Sequence, residues 1–324
     1  MHAIRLHEFG SADNLVLDEV DDLTPSAGEV RVVVEASGVH LLDASLRRGE
    51  AGPMPAPELP TIPGREVAGV VDQVGDGVDP IWVGRRVVAH LGLVPGGYAE
   101  QATTTADKLF AVPDHVGLPE AVAAVGTGRT ALGVLELEPP VTGDRVLVLS
   151  AAGGLGWLLV QGAHWHGARV VAAARGPERT GRLAELDPKL VVDYGDTAWL
   201  EQVGTTGGVD VVYDGVGGDL GRAAMELLNP GGRLVMFGFS AGSPTRLDTS
   251  DVVSRGLTVG WSLGPRMVTL PGGIPGLASR SLGQLAAKDW SPLVSTYPLA
   301  DASHAHADLE QRRALGKVVL TVHR

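Results

Sequence analysis

Short runs of alternating apolar and polar positions dominate the chain up to about Pro119, at Val30 to Ala36, Val67 to Val71 and Arg86 to Ala89. Alternation with period two gives a strand one face to bury and one to wet. This region therefore predicts a β-rich domain, opened by a first strand within Met1 to Glu8. Five prolines between Pro53 and Pro63 fix φ and remove backbone donors, which predicts an extended loop there. From Ala121 the pattern changes. Apolar runs at Val146 to Leu149, Val170 to Ala174, Leu190 to Val192, Val209 to Tyr213, Leu234 to Phe237 and Leu257 to Trp261 alternate with helix-length segments. Parallel neighbours need crossover helices, so these runs predict a doubly wound parallel sheet over about residues 122–261. A Pro/Gly-rich loop from Leu270 to Gly276, a helix from about Leu277 to Lys288 and a last strand at Val318 to Val322 complete the reading. Patterning alone does not place this tail, and no internal repeat is visible.

At 324 residues, 44% hydrophobic and 20% charged, the chain has the apolar content for two domains, which excludes disordered and fibrous classes. The formal net charge of -12 comes with no basic tract, so neither nucleic acid nor a membrane surface is expected as a partner. No apolar run approaches the roughly 20 residues needed to span a bilayer, and the N-terminus lacks a secretory pattern; the expected location is cytoplasmic. Cysteine is absent, which excludes disulfides, thiolate nucleophiles and zinc sites built on sulfur.

The most informative segment runs from Gly143 through Trp157, a strand entering a glycine turn that opens a helix. Set against G-x-G-x-x-G, Ala151 takes the first glycine position, Gly153 lets the backbone approach a pyrophosphate and Gly156 permits close helix packing. Ala152, Gly153, Gly154, Leu155 and Gly156 would then present the helix N-terminus to the phosphates of a dinucleotide. An NAD site would place a carboxylate at the end of the second strand. This chain has Ala174-Arg175-Gly176-Pro177-Glu178-Arg179 instead. Guanidiniums grip a 2′-phosphate in two-pronged geometry, so Arg175 and Arg179 favour NADPH over NADH. The alternative is that both are solvated loop charges, and Glu178 opposes the phosphate preference.

These residues resemble the medium-chain dehydrogenase/reductase superfamily and, within it, the zinc-free quinone oxidoreductase, or zeta-crystallin-like, family. Besides the glycine segment, the likeness rests on Gly38 to Gly49, similar to G-x-N-x-x-D-x-x-x-R-x-G, and on Pro63 to Gly69. Gly84 to Val87, Gly96 to Glu100, Val209 to Gly218 and Gly316 to Leu320 follow in order. The resemblance implies an α/β protein in which residues 1–121, completed by 262–324, form a GroES-like catalytic domain around a Rossmann NADPH-binding domain at 122–261. It also implies a cleft between the domains for cofactor and substrate, and a homodimer paired along the sheet edge near Leu257 to Leu263. By the same carry-over Arg179 and Tyr194 flank the adenosine phosphate and Thr130 approaches the nicotinamide. Val216, Phe237, Gly238, Phe239 and Leu263 line the cofactor's passage, although each also suits plain packing.

Zinc alcohol dehydrogenases of the superfamily place Cys near position 40 and His where Arg65 stands, and their four-cysteine lobe is missing here. His40, Asp43 and Glu66 fall short of the ligand set that catalytic zinc needs, so no metal is expected. Without a Lewis acid, hydride transfer to an already activated quinone is easier than alcohol oxidation. His40, where the family carries Asn, suits a hydrogen bond and a proton for the acceptor oxygen, or a structural imidazole. Tyr98 suits a phenolic contact or a packing ring, Asp43 and Arg47 a mutual pair that fixes the loop or a contact to substrate, and Trp261 a flat wall for an aromatic substrate or a buried wedge. His164, Trp165 and His166 read as a packed or subunit-facing surface, and His304 and His306 as an exposed helix with no role. The first reading is an NADPH-dependent quinone reductase. Reduction of enones or enoyl thioesters is the second, and a noncatalytic NADPH-binding redox sensor is a reading of another class.

Overall fold

The computed structural model describes residues 1–50, 55–93 and 95–322. The chain divides into two compact units, Met1–Gly128 with Ala278–Arg324, and Arg129–Leu277.

The first unit opens with β1 (His2–Leu6) and β2 (Leu15–Glu19), an antiparallel pair. There follow β3 (Glu29–Gly38), helix α1 (Leu41–Arg47), β4 (Glu66–Val74), β5 (Arg86–His90), β6 (Gln101–Thr105), β7 (Leu109–Ala111) and helix α2 (Leu118–Ala123). The second unit carries α3 (Arg129–Leu137), β8 (Arg145–Val148), α4 (Gly154–Trp165), β9 (Arg169–Ala174), α5 (Pro177–Leu183), β10 (Leu190–Asp193), α6 (Trp199–Gly204) and β11 (Val209–Asp214). It continues through α7 (Gly218–Glu226), β12 (Leu228–Met236), α8 (Thr249–Arg255), β13 (Thr258–Trp261) and α9 (Pro265–Val268). Helix α10 (Gly273–Ala286), β14 (Val294–Pro298), α11 (Ala302–Glu310) and β15 (Lys317–Thr321) complete the chain.

In the first unit the sheet order is β14-β15-β3-β4-β5-β7, with β6 also on β3. The C-terminal strand β15 lies antiparallel to β3 and parallel to β14, which places the tail that patterning left open. Val30, Val32, Val34, Val67, Val71, Val87, Val318 and Leu320 share one core. A second is closed by α2 and by Ala278 and Leu282 of α10. The even spacing along β3 puts alternate side chains on one face, as the sequence pattern requires.

The second unit is a six-stranded sheet of order β10-β9-β8-β11-β12-β13, parallel throughout. All six expected strands are present, and the order reverses direction between β8 and β11, the place where such sheets bind ligands at their carboxyl ends. Two boundaries differ from expectation. Strand β12 begins at Leu228 rather than Leu234 because Asn229 to Gly232 form an irregularity within the strand, and Pro and Gly fit such bulges. Helix α10 begins at Gly273, inside the expected loop, because Pro275 falls in the first turn, where its missing N–H is not needed. The expected Pro53–Pro63 loop lies partly outside the described residues; from Pro55 to Glu58 it has no regular structure.

Candidate functional site

In the second unit the turn after β8 is built around Ser150, whose φ is +53°. The Gly153 amide donates to the Ser150 carbonyl at 2.9 Å, and α4 begins at the next residue. A β-carbon on Gly156 would lie 2.3 Å from the Ser150 oxygen and 2.7 Å from Ala151 Cα. Only a hydrogen fits there, so the helix packs directly on the turn and its first amides, which have no intrahelical acceptor, face the strand ends. Ala151 is tied to β9 by a 2.9 Å bond from its amide to the Ala173 carbonyl.

The neighbouring strand ends carry the candidate phosphate contacts. The Arg175 guanidinium lies 5.7 Å from the centre of the Tyr194 ring, within cation–π range. Arg179, one turn into α5, reaches back toward the Arg175 carbonyl at 3.5 Å. Sequence reasoning missed Asp193, which precedes Tyr194: its Oδ1 accepts from the Gly176 amide at 2.9 Å and the Gly195 amide at 2.7 Å. It also missed Asp214 at the end of β11. That carboxylate is fully buried, accepts at 2.8 Å from the amides of Val216 and Gly217 and at 2.5 Å from the Thr245 hydroxyl. An acid closing an apolar parallel strand was the available signal in both cases.

Val216 and Phe237 are buried, and Phe237 packs so closely that a β-carbon on Gly215 would lie 2.5 Å from its ring. Gly238 and Leu263 are partly buried at the ends of β12 and β13. Phe239 and Trp261 stand at the same two strand ends, both exposed, with ring centres 6.2 Å apart. Thr130 is the second residue of α3.

The first unit holds a separate polar cluster. His40 caps α1, and its amide donates to Asp43 Oδ2 at 2.8 Å. Its Nε2 lies 2.6 Å from Glu66 Oε1 and 2.7 Å from Lys317 Nζ, and Lys317 Nζ lies 3.0 Å from Glu66 Oε2. Glu66 and Lys317 are buried, whereas the His40 side chain is 34% exposed. Burial alone would raise the Glu66 carboxyl, but the charges of His40 and Lys317, with His90 beyond, hold it well below the usual carboxylate range. The carboxylate is thus the counter-ion of the Lys317 ammonium, with the His40 ring against its other oxygen.

Two pairings differ from expectation. Asp43 bonds Arg65, Nη2 to Oδ1 at 2.8 Å, while Arg47 pairs with Glu310 at 2.8 Å. Arg65 is the nearer cation because it leads into β4 beside α1. Tyr98 is fully buried, its hydroxyl 3.4 Å from Asp43 Oδ2 and 3.1 Å from His306 Nε2, so its ring packs inside the unit. His306 is likewise buried, against the expectation of an exposed helix, because the inner face of α11 covers Tyr98. His304 is exposed, as is Trp165 at the end of α4.

The family description "Alcohol dehydrogenase GroES-like domain" matches residues 26–114, and "Zinc-binding dehydrogenase" matches residues 154–277. The chain is 32% identical to a 2-haloacrylate reductase of a Burkholderia species, covering 97% of each chain. It is 31% identical to a quinone oxidoreductase of Salmonella typhimurium, covering 98% of each. The crystal structure of Escherichia coli quinone oxidoreductase complexed with NADPH superposes with a TM-score of 0.86 at 28% identity, over 99% of this chain and 100% of that one. The chain belongs to the medium-chain dehydrogenase/reductase superfamily and, within it, to the quinone oxidoreductase family.

The residues of this chain do not fit the zinc that one matched description names. Where a cation would need donors, the Lys317 ammonium already sits against His40 and Glu66, and Arg65 is turned to Asp43. Among the described residues no three His, Cys, Asp or Glu side chains are grouped to hold a metal. The glycine turn, by contrast, fits a dinucleotide: the space that a Gly156 side chain would fill is closed, and the amides of α4 are presented at the strand ends.

Proposed function

We propose that this protein is a zinc-independent, NADPH-dependent reductase of quinones. What carries the reading is the convergence of the Ser150–Gly156 turn with Arg175, Arg179 and Tyr194 at adjacent strand ends, in a sheet of the order that binds dinucleotides. The related E. coli quinone oxidoreductase crystallised with NADPH supports it. In this reading Ala152 to Gly156 hold the pyrophosphate, Arg175, Arg179 and Tyr194 hold the 2′-phosphate, and Thr130, Val216, Phe237, Gly238, Phe239 and Leu263 position the nicotinamide half. NADPH, when bound, supplies a hydride. In the first unit His40, the most open member of its cluster, is the candidate proton donor; in the second, Trp261 with Phe239 offers an aromatic wall to a flat acceptor.

A second reading, reduction of an activated carbon-carbon double bond, is favoured by the 2-haloacrylate reductase relative. The test is oxidation of NADPH, with chelator present and NADH in parallel, against 1,4-benzoquinone, 9,10-phenanthrenequinone, a simple enone, 2-chloroacrylate and crotonyl-CoA. Turnover of the quinones supports the first reading, and turnover of the alkenes alone replaces it with the second. Saturable NADPH binding with no turnover makes the protein a sensor.

A cytoplasmic homodimer is part of the same proposal. Strand β13 is an edge of its sheet and is open to pairing with a second copy. Among the described residues no helix is long and apolar enough to cross a membrane. Sedimentation equilibrium distinguishes monomer from dimer.

A further inference from the structure

Two turns meet at the adenosine end of the second unit. The first, between β9 and α5, begins with Arg175 and Gly176; the second, after β10, begins with Tyr194 and Gly195. Each carries a side chain that the NADPH reading needs, and the Tyr194 amide donates to the Ala174 carbonyl at 2.9 Å. Asp193 bridges them. One oxygen of its carboxylate, Oδ1, takes the Gly176 amide at 2.9 Å and the Gly195 amide at 2.7 Å. Charge-assisted bonds of this kind are short and strong, and Gly176, with φ at +86°, adopts a conformation that glycine alone enters freely.

The Arg175 stem follows from the same arrangement. A β-carbon on Gly195 would lie 2.9 Å from Asp193 Oδ1 and 3.5 Å from Arg175 Cγ. The bare glycine therefore leaves Asp193 Oδ1 room to reach the second turn, and the Arg175 stem passes beside it to lay its guanidinium on the Tyr194 ring. Although an acid beside a phosphate site is unfavourable by charge, Oδ1 is committed to two amides, and the neighbouring guanidiniums outnumber it.

We propose that Asp193 is a positioning residue for cofactor choice, clamping the two turns so that Arg175, Arg179 and Tyr194 form one receptor for a 2′-phosphate. The proposal rests on the NADPH reading and goes beyond it by assigning selectivity to a residue that does not touch the cofactor. Selectivity is the right readout because general loss of structure weakens all nucleotides alike, whereas a displaced receptor weakens only those with a 2′-phosphate.

The experiment is titration of the whole protein with 2′,5′-ADP and with 5′-ADP by calorimetry, for the unaltered chain, Asp193→Ala, Asp193→Asn and Gly195→Ala. The unaltered protein binds 2′,5′-ADP more tightly. Asp193→Ala reduces that preference by about tenfold, the equivalent of one such bond, while Asp193→Asn, which keeps a carbonyl acceptor for the two amides, restores most of it. Gly195→Ala, an exposed site, reduces the preference by pressing its β-carbon on Asp193 Oδ1 and serves if Asp193→Ala does not fold. A preference that survives in both Asp193→Ala and Gly195→Ala overturns the clamp. No preference in the unaltered protein overturns the NADPH reading itself, which separates the two failures.

Discussion

The Tyr98 hydroxyl and His306 Nε2 meet at 3.1 Å inside the first unit, with ring planes nearly perpendicular. This contact joins the turn before β6 to the C-terminal helix α11. Burial is the main cause that lowers the imidazole to about 4 from its ordinary 6.5, so His306 is neutral in the fold at physiological pH. A histidine with a depressed folded value binds fewer protons than its unfolded counterpart between those limits. Its contribution is complete above pH 6.5 and is lost as pH falls toward 4. Urea unfolding across that range should show a loss on the order of 3 kcal/mol. The slope should flatten in His306→Phe, which starts from a lower stability because Tyr98 loses a partner.

Removing Lys317 leaves Glu66 fully buried with His40 as its remaining close partner. Lys317→Met should cost about 3–5 kcal/mol of stability, as expected when one member of a buried ion pair is deleted, measured by chemical unfolding at pH 7. The deficit should shrink as the solution is acidified below pH 4.5 through the depressed Glu66 range, because a protonated carboxyl no longer needs the ammonium.

The parallel sheet was legible because its inner strands β9, β8 and β11 are almost wholly buried and its strands read as apolar runs, and the glycine turn because its spacing is local. The cluster around His40 was not. Lys317 and Glu66 are distant in sequence and meet only when β15 inserts beside β3, and nothing in the run Gly316 to Leu320 signals an ion pair. His306 looked exposed because Ala302 to Glu310 carries polar residues on every side. Its partner Tyr98 is fixed by tertiary packing, not by spacing along a helix. The Asp43–Arg65 pair was misassigned to Arg47 for the same reason: both cations are within reach in sequence, and the approach of β4 chooses between them.

Gly156→Ala should abolish nucleotide binding. Its β-carbon would press to 2.3 Å on the Ser150 carbonyl, pushing α4 off the turn, at a stability cost of about 1–3 kcal/mol. Fluorescence titration with NADPH and thermal unfolding read the two effects separately.

Arg179→Ala should raise the KM for NADPH by about tenfold, the loss of a charge-assisted contact, and leave that for NADH nearly unchanged. Equal changes for the two cofactors would assign Arg179 to the solvated surface of α5 instead.

The position of β15, between β14 and β3, sets an order of events during synthesis. The first 128 residues leave the ribosome with β6 available for Glu29–Val33 of β3 but nothing for its Ala36–Gly38 end, and the whole nucleotide unit, continuous from Arg129 to Leu277, follows before the strand that covers it. Non-local pairings of this span close slowly, and an uncovered strand edge invites other chains. The nucleotide unit therefore has every residue it needs while its companion still waits for Lys317, and it is the companion that a chaperone would have reason to guard.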